Sequence, residues 1–376
     1  MSFCTKNLFM NIDKIPSYPP ASIVKWMEKF RYFLIRFSRV FAPSNVNIIE
    51  IVQGFYVSKA IGVAAGLNIA EYLRNGEQSI AELARLSGTH EESLYRLMRM
   101  LASQGVFIEK KKRVFCNNNL SKTLLDQPDS MRHMVIHQVN GINWKIFGDL
   151  NEIVTTGEST FKKHAGMDVF EYMQSDPSLN ELYNKAMTNT VMLVGAAILS
   201  EYNFDKAKCI VDVGGGEGIL LAMILKKYKS LKGINFDLPH VVSESKKTFE
   251  NFAVADRVEL ISGDFFETIP QHGDVYILKS IVHNLSDLQC IDLLKKIKSV
   301  LPKNGKIVIV EPIIEPNNGK YSFAKLYDTQ MLVSSVNAKE RTIKEFHELF
   351  EKAGVKFHRV INTVSPFSII EIHSSL

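Results

Sequence analysis

Asp212, Asp237, Asp264, Lys279, His283 and Glu311 each stand at or near the end of a short apolar run, and Glu340 comes further along the chain. These residue types suit two kinds of chemistry. Carboxylates at strand ends accept hydroxyl groups of a nucleoside. A histidine whose unperturbed pKa is about 6.5 takes a proton near neutrality, and a neighbouring carboxylate fixes its tautomer and stabilises the imidazolium.

The first of these runs is the most specific. Val211-Asp212-Val213-Gly214-Gly215-Gly216-Glu217-Gly218 reads as a buried strand opening into a glycine loop, with a helix expected over 219–229. Glycines let the backbone approach a ligand closely, and the free N–H groups at the start of the helix face it. A dinucleotide fingerprint starting at Gly214 would place its third glycine at position 219, which is Ile219. No Gly-Lys-Ser/Thr comes after it to make a phosphate loop. Asp237 lies 19 residues after Gly218, at the end of the next apolar run, where a carboxylate accepts both ribose hydroxyls. The combination favours a nucleoside without a pyrophosphate, and S-adenosylmethionine fits that description. Glycine turns between strand and helix are common, so the weight rests on the chain beyond Gly218.

The elements that must position these residues alternate. Strands are expected over 257–262, 273–278 and 305–311, and helices over 290–300 and 341–353. Strand–helix alternation implies an α/β fold with a parallel, doubly wound sheet, whose ligands bind beyond the carboxyl ends of the strands. Ordinary loop polarity would account for some of the six polar residues, but not for all of them recurring at one edge.

Five segments carry a resemblance: Val211 to Gly218, Phe236 to Val241, Gly263 to Phe266, Leu278 to Asn284, and Lys339 to Thr342. Over roughly residues 45–372 the chain resembles the plant-type, two-domain small-molecule O-methyltransferases. The resemblance implies a Rossmann-like catalytic domain behind an all-α, winged-helix dimerisation domain. It also implies S-adenosyl-L-methionine as cofactor, S-adenosyl-L-homocysteine as product, no metal, a hydroxylated small-molecule acceptor of phenolic type, and a homodimer. By the same resemblance, Asp212, Gly214, Gly216 and Gly218 hold the methionine portion of the cofactor. Asp237 and Leu238 hold its ribose, Asp264 and Phe265 its adenine, and Lys279 also contacts it. His283 is the general base, framed by Glu311 and Glu340. Trp144, Met187, Asn284 and Met331 fall at acceptor-pocket positions, although the methionines are equally compatible with helix cores.

Two stretches depart from the family pattern. The catalytic histidine is usually followed by aspartate and tryptophan, but here by Asn284 and Leu285, which removes a charge beside His283. Ser334 to Ala338 lacks the glycines that often precede Glu-Arg-Thr. Some members of the fold bind S-adenosylmethionine without transferring its methyl, and that is the alternative reading. His283, Glu311 and Glu340 together favour methyl transfer.

The 376 residues suggest about two domains, and 46% apolar with 23% charged residues is an ordinary soluble composition. Four parts are expected: an amphipathic arm (1–44), a winged-helix-like dimerisation domain (45–120), a helical linker lining the acceptor pocket (121–200), and the catalytic domain (201–376). Two helices are expected between Ile48 and Leu73, around Gly54 and Gly62 to Gly66. Residues 78–118 order helix, turn, helix and basic hairpin, so a DNA-binding regulator is a second alternative, with Arg96, Arg99, Lys110 to Lys112 and Arg113 as phosphate contacts. Dimerisation without nucleic acid is favoured. Residues 22–41 form a basic amphipathic helix that suits a membrane surface or, preferably, a partner subunit. Cys4, Cys116, Cys209 and Cys290 show no metal spacing, and no secretory signal is read, so a cytoplasmic location is expected.

Overall fold

Gly54 and Gly62 do not interrupt the N-terminal helices. After α1 (Ala21–Ser38), one helix, α2 (Ser44–Gly66), runs through both glycines. An interior glycine costs only about 1 kcal/mol relative to alanine. At Gly62 the missing side chain is used, because a Cβ there would fall 1.9 Å from Val139 Cγ2. The break comes instead at Asn68, whose left-handed φ of 60° precedes the short α3 (Ile69–Tyr72). The computed structural model describes residues 19–127, 130–139, 141–167, 169–316, 319–335 and 337–374. Cys4 and the first part of the expected arm lie outside the described residues. Among these, residues 32–148 and 163–190 make one compact unit, and 19–31, 149–162 and 191–374 a second.

In the first unit, β1 (Gln78–Ser79) leads into α4 (Ile80–Ser87), capped by the Ser79 hydroxyl and ended by Gly88 at φ 65°. Then come α5 (Glu91–Ser103) and the hairpin β2 (Phe107–Lys111) and β3 (Val114–Asn117), which complete an antiparallel sheet in the order β1-β3-β2. Leu83, Leu94, Met98, Leu101, Phe107 and Phe115 fill the core between them. In the basic hairpin, Arg113 is engaged within the unit. Its guanidinium donates to Glu91 at 2.6 Å and Glu92 at 2.9 Å, and lies 4.4 Å from the centre of the Tyr95 ring.

Much of α1 and α2 is apolar and exposed. Trp26, Phe30, Phe33, Phe37, Ile48, Ile51, Val52 and Phe55 all face outward. By length and composition alone α2 is long and apolar enough to cross a membrane, and little of it is buried.

Helices α6 (Arg132–Gln138), α7 (Gly141–Gly148), α8 (Leu150–Thr156), α9 (Phe161–Ala165), α10 (Val169–Ser175) and α11 (Pro177–Glu201) come next. The second unit is built on strands β4 (Cys209–Val213), β5 (Lys232–Asp237), β6 (Val258–Ser262), β7 (Val275–Lys279) and β8 (Lys306–Glu311). Helices α12 (Ile219–Lys227), α13 (Pro239–Asn251) and α14 (Asp287–Val300) alternate with them. All five strands are parallel neighbours, in the order β8-β7-β4-β5-β6. Val211, Val213, Tyr276, Leu278, Ile307 and Ile309 are fully buried, as strands covered on both faces require.

After the two-residue β9 (Ile313–Ile314) come α15 (Phe323–Ser334), β10 (Arg341–Thr342), which pairs with β9, and α16 (Ile343–Ala353). The helix expected from Arg341 therefore starts two residues later, where Thr342 and Glu345 form a capping box. Strands β11 (Val355–Asn362) and β12 (Ser368–Ser374) are additions to the expected elements. They extend the sheet antiparallel, β12 pairing with β8. Glu371 on β12 is buried and accepts from His373 at 2.8 Å, Lys306 at 3.1 Å and Arg359 at 3.1 Å.

Candidate active site

The parallel register fixes one edge. Asp237 stands opposite Ser262, and Lys279 opposite Val310, the residue before Glu311. The carboxyl ends of β5, β7 and β8 therefore present Asp237, Lys279 and Glu311 along one edge.

At the end of β4 the glycine loop folds back on β5. The Gly214 N–H donates to the Phe236 carbonyl at 2.8 Å, and Gly216 N–H to Asp237 Oδ2 at 2.8 Å. The other Asp237 oxygen accepts from Leu238 N–H at 2.7 Å. Gly218 takes φ 75°, and a Cβ there would lie 2.2 Å from Phe249 Cζ, so only glycine fits the approach of loop to helix. Asp264 is exposed, and its carboxylate accepts from Phe266 N–H at 2.7 Å, turning the chain after β6. Phe265 and Phe266 pack edge to face, their ring centres 4.7 Å apart.

Between the loop and the histidine lies a buried charge chain. Burial pushes Asp212 up to about 7, opposed by the Lys279 ammonium. Burial also lowers Lys279, opposed by Glu311 and Asp212. The lysine thus sits within the field of two carboxylates.

His283 occupies a single turn after β7 and is buried. Its Nδ1 lies 2.8 Å from Glu340 Oε1 and 3.3 Å from Glu311 Oε2, and the His283 backbone N–H donates to Glu311 Oε1 at 3.3 Å. Burial lowers the imidazole's pKa, with Glu311 opposing and Lys279 assisting. Burial raises Glu311 to about 7, an effect His283 opposes, and raises Glu340 to about 8, an effect to which Asp328 adds. An ionised Glu340 accepts the Nδ1 proton at this distance. With that proton on Nδ1, the other ring nitrogen is left as the proton acceptor.

Several residues that hold this arrangement escaped sequence reasoning. The Arg341 guanidinium is fully buried and donates to the carbonyls of Val282 at 2.8 Å and Leu285 at 2.7 Å, and to Asp287 Oδ1 at 2.8 Å. It clasps the turn that carries His283. Asp328 accepts the Glu340 N–H at 2.8 Å, and the Tyr327 ring centre lies 5.9 Å from that of the imidazole. A charged residue directly beside Glu340 was the available signal for Arg341.

The second unit thus brings together the glycine loop, Asp212, Asp237, Lys279, His283, Glu311 and Glu340. Met331 in α15 is buried. Asn284 does not reach the imidazole: it is exposed and donates its amide to the Ser280 carbonyl at 3.1 Å. Trp144 and Met187 belong to the first unit, where the Lys59 ammonium lies 5.0 Å from the Trp144 ring centre.

Residues 147–356 match the O-methyltransferase domain model, and residues 49–127 the O-methyltransferase dimerisation domain model. A phenazine O-methyltransferase of Lysobacter antibioticus is 34% identical, over 88% of this chain and 96% of its own. The mitomycin biosynthesis 6-O-methyltransferase of Streptomyces lavendulae is 32% identical, over 89% and 95%. Among solved structures, the calicheamicin-biosynthesis methyltransferase CalO1, in its S-adenosylhomocysteine-bound form, has TM-score 0.80 and 27% identity over 88% of this chain and 98% of that one. With both domain models matched in order and the relatives aligned almost end to end, the chain belongs to the two-domain O-methyltransferase family.

Proposed function

We infer that this protein transfers a methyl group from S-adenosylmethionine to a hydroxyl oxygen of a small molecule, with His283 taking the hydroxyl proton. The observation that carries the reading is the buried His283 Nδ1–Glu340 contact of 2.8 Å, on the same sheet edge as Asp237. The residues fit that cofactor. Gly214, at φ 69°, and Gly218 leave no room for side chains, and a Cβ at Gly214 would fall 2.4 Å from Ile281 Cδ1. Asp237 holds the loop by one oxygen and keeps lone pairs for ribose hydroxyls. When bound, S-adenosylmethionine supplies a methyl group on a sulfonium. The chain's own part is to seat the acceptor, hold the Nδ1 proton between Glu340 and Glu311, and receive the acceptor's proton on the opposite ring nitrogen.

The relatives' named acceptors support a hydroxylated aromatic substrate. The test is turnover of a panel of hydroxylated phenazines, quinones and hydroxybenzoates, read as S-adenosylhomocysteine formed and a methylated product by mass. His283→Ala is expected to abolish product while calorimetry still shows S-adenosylhomocysteine binding. If the wild-type protein binds neither S-adenosylmethionine nor S-adenosylhomocysteine, the reading fails.

The exposed apolar faces of α1 and α2 support a homodimer, α2 lying largely within the matched dimerisation domain. Their burial against a second copy accounts for these faces without a membrane. Light scattering at micromolar protein is expected to give twice the chain mass. Val52→Asp with Phe55→Asp is expected to give the monomer, and a wild-type monomer would end this part of the reading.

A further inference from the structure

Ser280 joins the cofactor side of the site to the base. It closes β7 with a left-handed φ of 56°, rare for a residue with a side chain. Its N–H donates to the Val310 carbonyl at 3.2 Å, and its hydroxyl accepts from Lys279 Nζ at 3.1 Å. Its carbonyl takes the Asn284 amide at 3.1 Å and also faces the His283 imidazole, where it favours the charged ring. The Asn284 N–H completes the turn by donating to the Ile281 carbonyl at 3.1 Å. The asparagine amide makes this bond and an ionised aspartate could not, because a carboxylate has no hydrogen to give to a carbonyl.

We propose that Asn284 is a positioning residue for His283: its amide shares the Ser280 carbonyl with the imidazole, holding the left-handed turn closed, weakening that carbonyl as an acceptor for the ring and keeping a further negative charge away from it. The proposal rests on the reading of His283 as the base. The departure from the usual aspartate is then a change of tuning. The imidazole is faced by Lys279 on β7, Glu311 on β8, Tyr327 on α15, and Glu340 and Arg341 on the segment beyond α15. Several of these carry charge that favours or opposes the imidazolium, so a further charge at position 284 would move its balance. The direction comes from both parts of the change. Removing the amide leaves the Ser280 carbonyl to the imidazolium alone, and adding a carboxylate supplies attraction as well.

The experiment is an NMR titration of the full-length protein with 13C-labelled histidine, in wild type, Asn284→Ala and Asn284→Asp, with His283→Gln to assign the resonance. The His283 midpoint is expected to rise in the order wild type, Asn284→Ala, Asn284→Asp, the last by about half a unit to one unit at this exposed position. Amide exchange at residues 281–285 is expected to quicken in both variants. Coincident wild-type and Asn284→Asp titrations, or a midpoint that falls in Asn284→Ala, would overturn the proposal. The titration needs no acceptor and no turnover, so its failure leaves the methyl-transfer reading standing. Loss of that reading is seen separately, in the cofactor calorimetry.

Discussion

The backbone N–H of Lys339 donates to the carbonyl oxygen of His283 at 2.9 Å, so the residue before Glu340 is pinned to the residue whose imidazole Glu340 holds. Main chain and side chain thus tie the same two segments together. The consequence is a carboxylate with little freedom to leave Nδ1, which is how a tautomer is enforced.

Glu340→Gln is expected to lower kcat by about 10²- to 10⁴-fold with S-adenosylhomocysteine affinity unchanged. A glutamine amide turned toward Nδ1 donates to it and forces the ring proton onto the nitrogen that must accept. Glu311→Gln is expected to have a smaller effect, since its contact with Nδ1 is the longer one at 3.3 Å. Initial rates and calorimetry on both variants check this, and equal losses would contradict it.

Arg341→Lys is expected to destabilise the fold by roughly 2–4 kcal/mol. A lysine ammonium cannot span the Val282 and Leu285 carbonyls and Asp287 in the forked geometry that the guanidinium uses. Denaturant unfolding measures the loss, and hydrogen exchange is expected to localise it to residues 282–287.

The glycines of the loop are expected to differ sharply. Gly216 has φ 58° but open space around a Cβ, so Gly216→Ala costs only the left-handed backbone, about 1 kcal/mol. Gly218→Ala adds a clash with the buried Phe249 ring and is expected to weaken S-adenosylhomocysteine binding by more than about tenfold, the equivalent of about 1.4 kcal/mol. A second change, Phe249→Leu, should recover part of that loss. Equal binding by the two alanine variants would refute the packing argument.

Glu371 makes stability depend on acid. Burial raises its pKa, but the contacts from His373, Lys306 and Arg359 outweigh burial and bring it down to about 2. A depressed carboxylate stabilises the fold fully above its unfolded pKa of about 4.5, and that contribution disappears as pH falls from there to about 2. Its partners are well exposed and screened by solvent, so the size is on the order of 1 kcal/mol. Urea midpoints of wild type should fall across that window, whereas those of Glu371→Gln should start lower and fall less.

The catalytic half is legible in sequence because its strands are short, apolar and β-branched and each ends in a residue of distinct chemistry. Counting alone places Asp237, Lys279 and Glu311 on one edge. Strands β11 and β12 are not legible. Val355–Asn362 mixes charged and apolar residues on a sheet margin, and Ser368–Ser374 is a short run with Glu371 in its middle. Arg341 is hidden for another reason: two of its partners are main-chain carbonyls and the third is Asp287, all more than fifty residues away, and carbonyls have no signature in sequence. Asn284 stands out in sequence as a departure, but only the backbone conformation at Ser280 shows what its amide does.

Every side chain proposed to bind the cofactor or move the proton, from Asp212 to Arg341, lies within the second compact unit. Trp144 and Met187 lie in the other. The reacting groups thus depend on the folding of a single unit, so a substitution confined to the helices of the first leaves their hydrogen bonds in place.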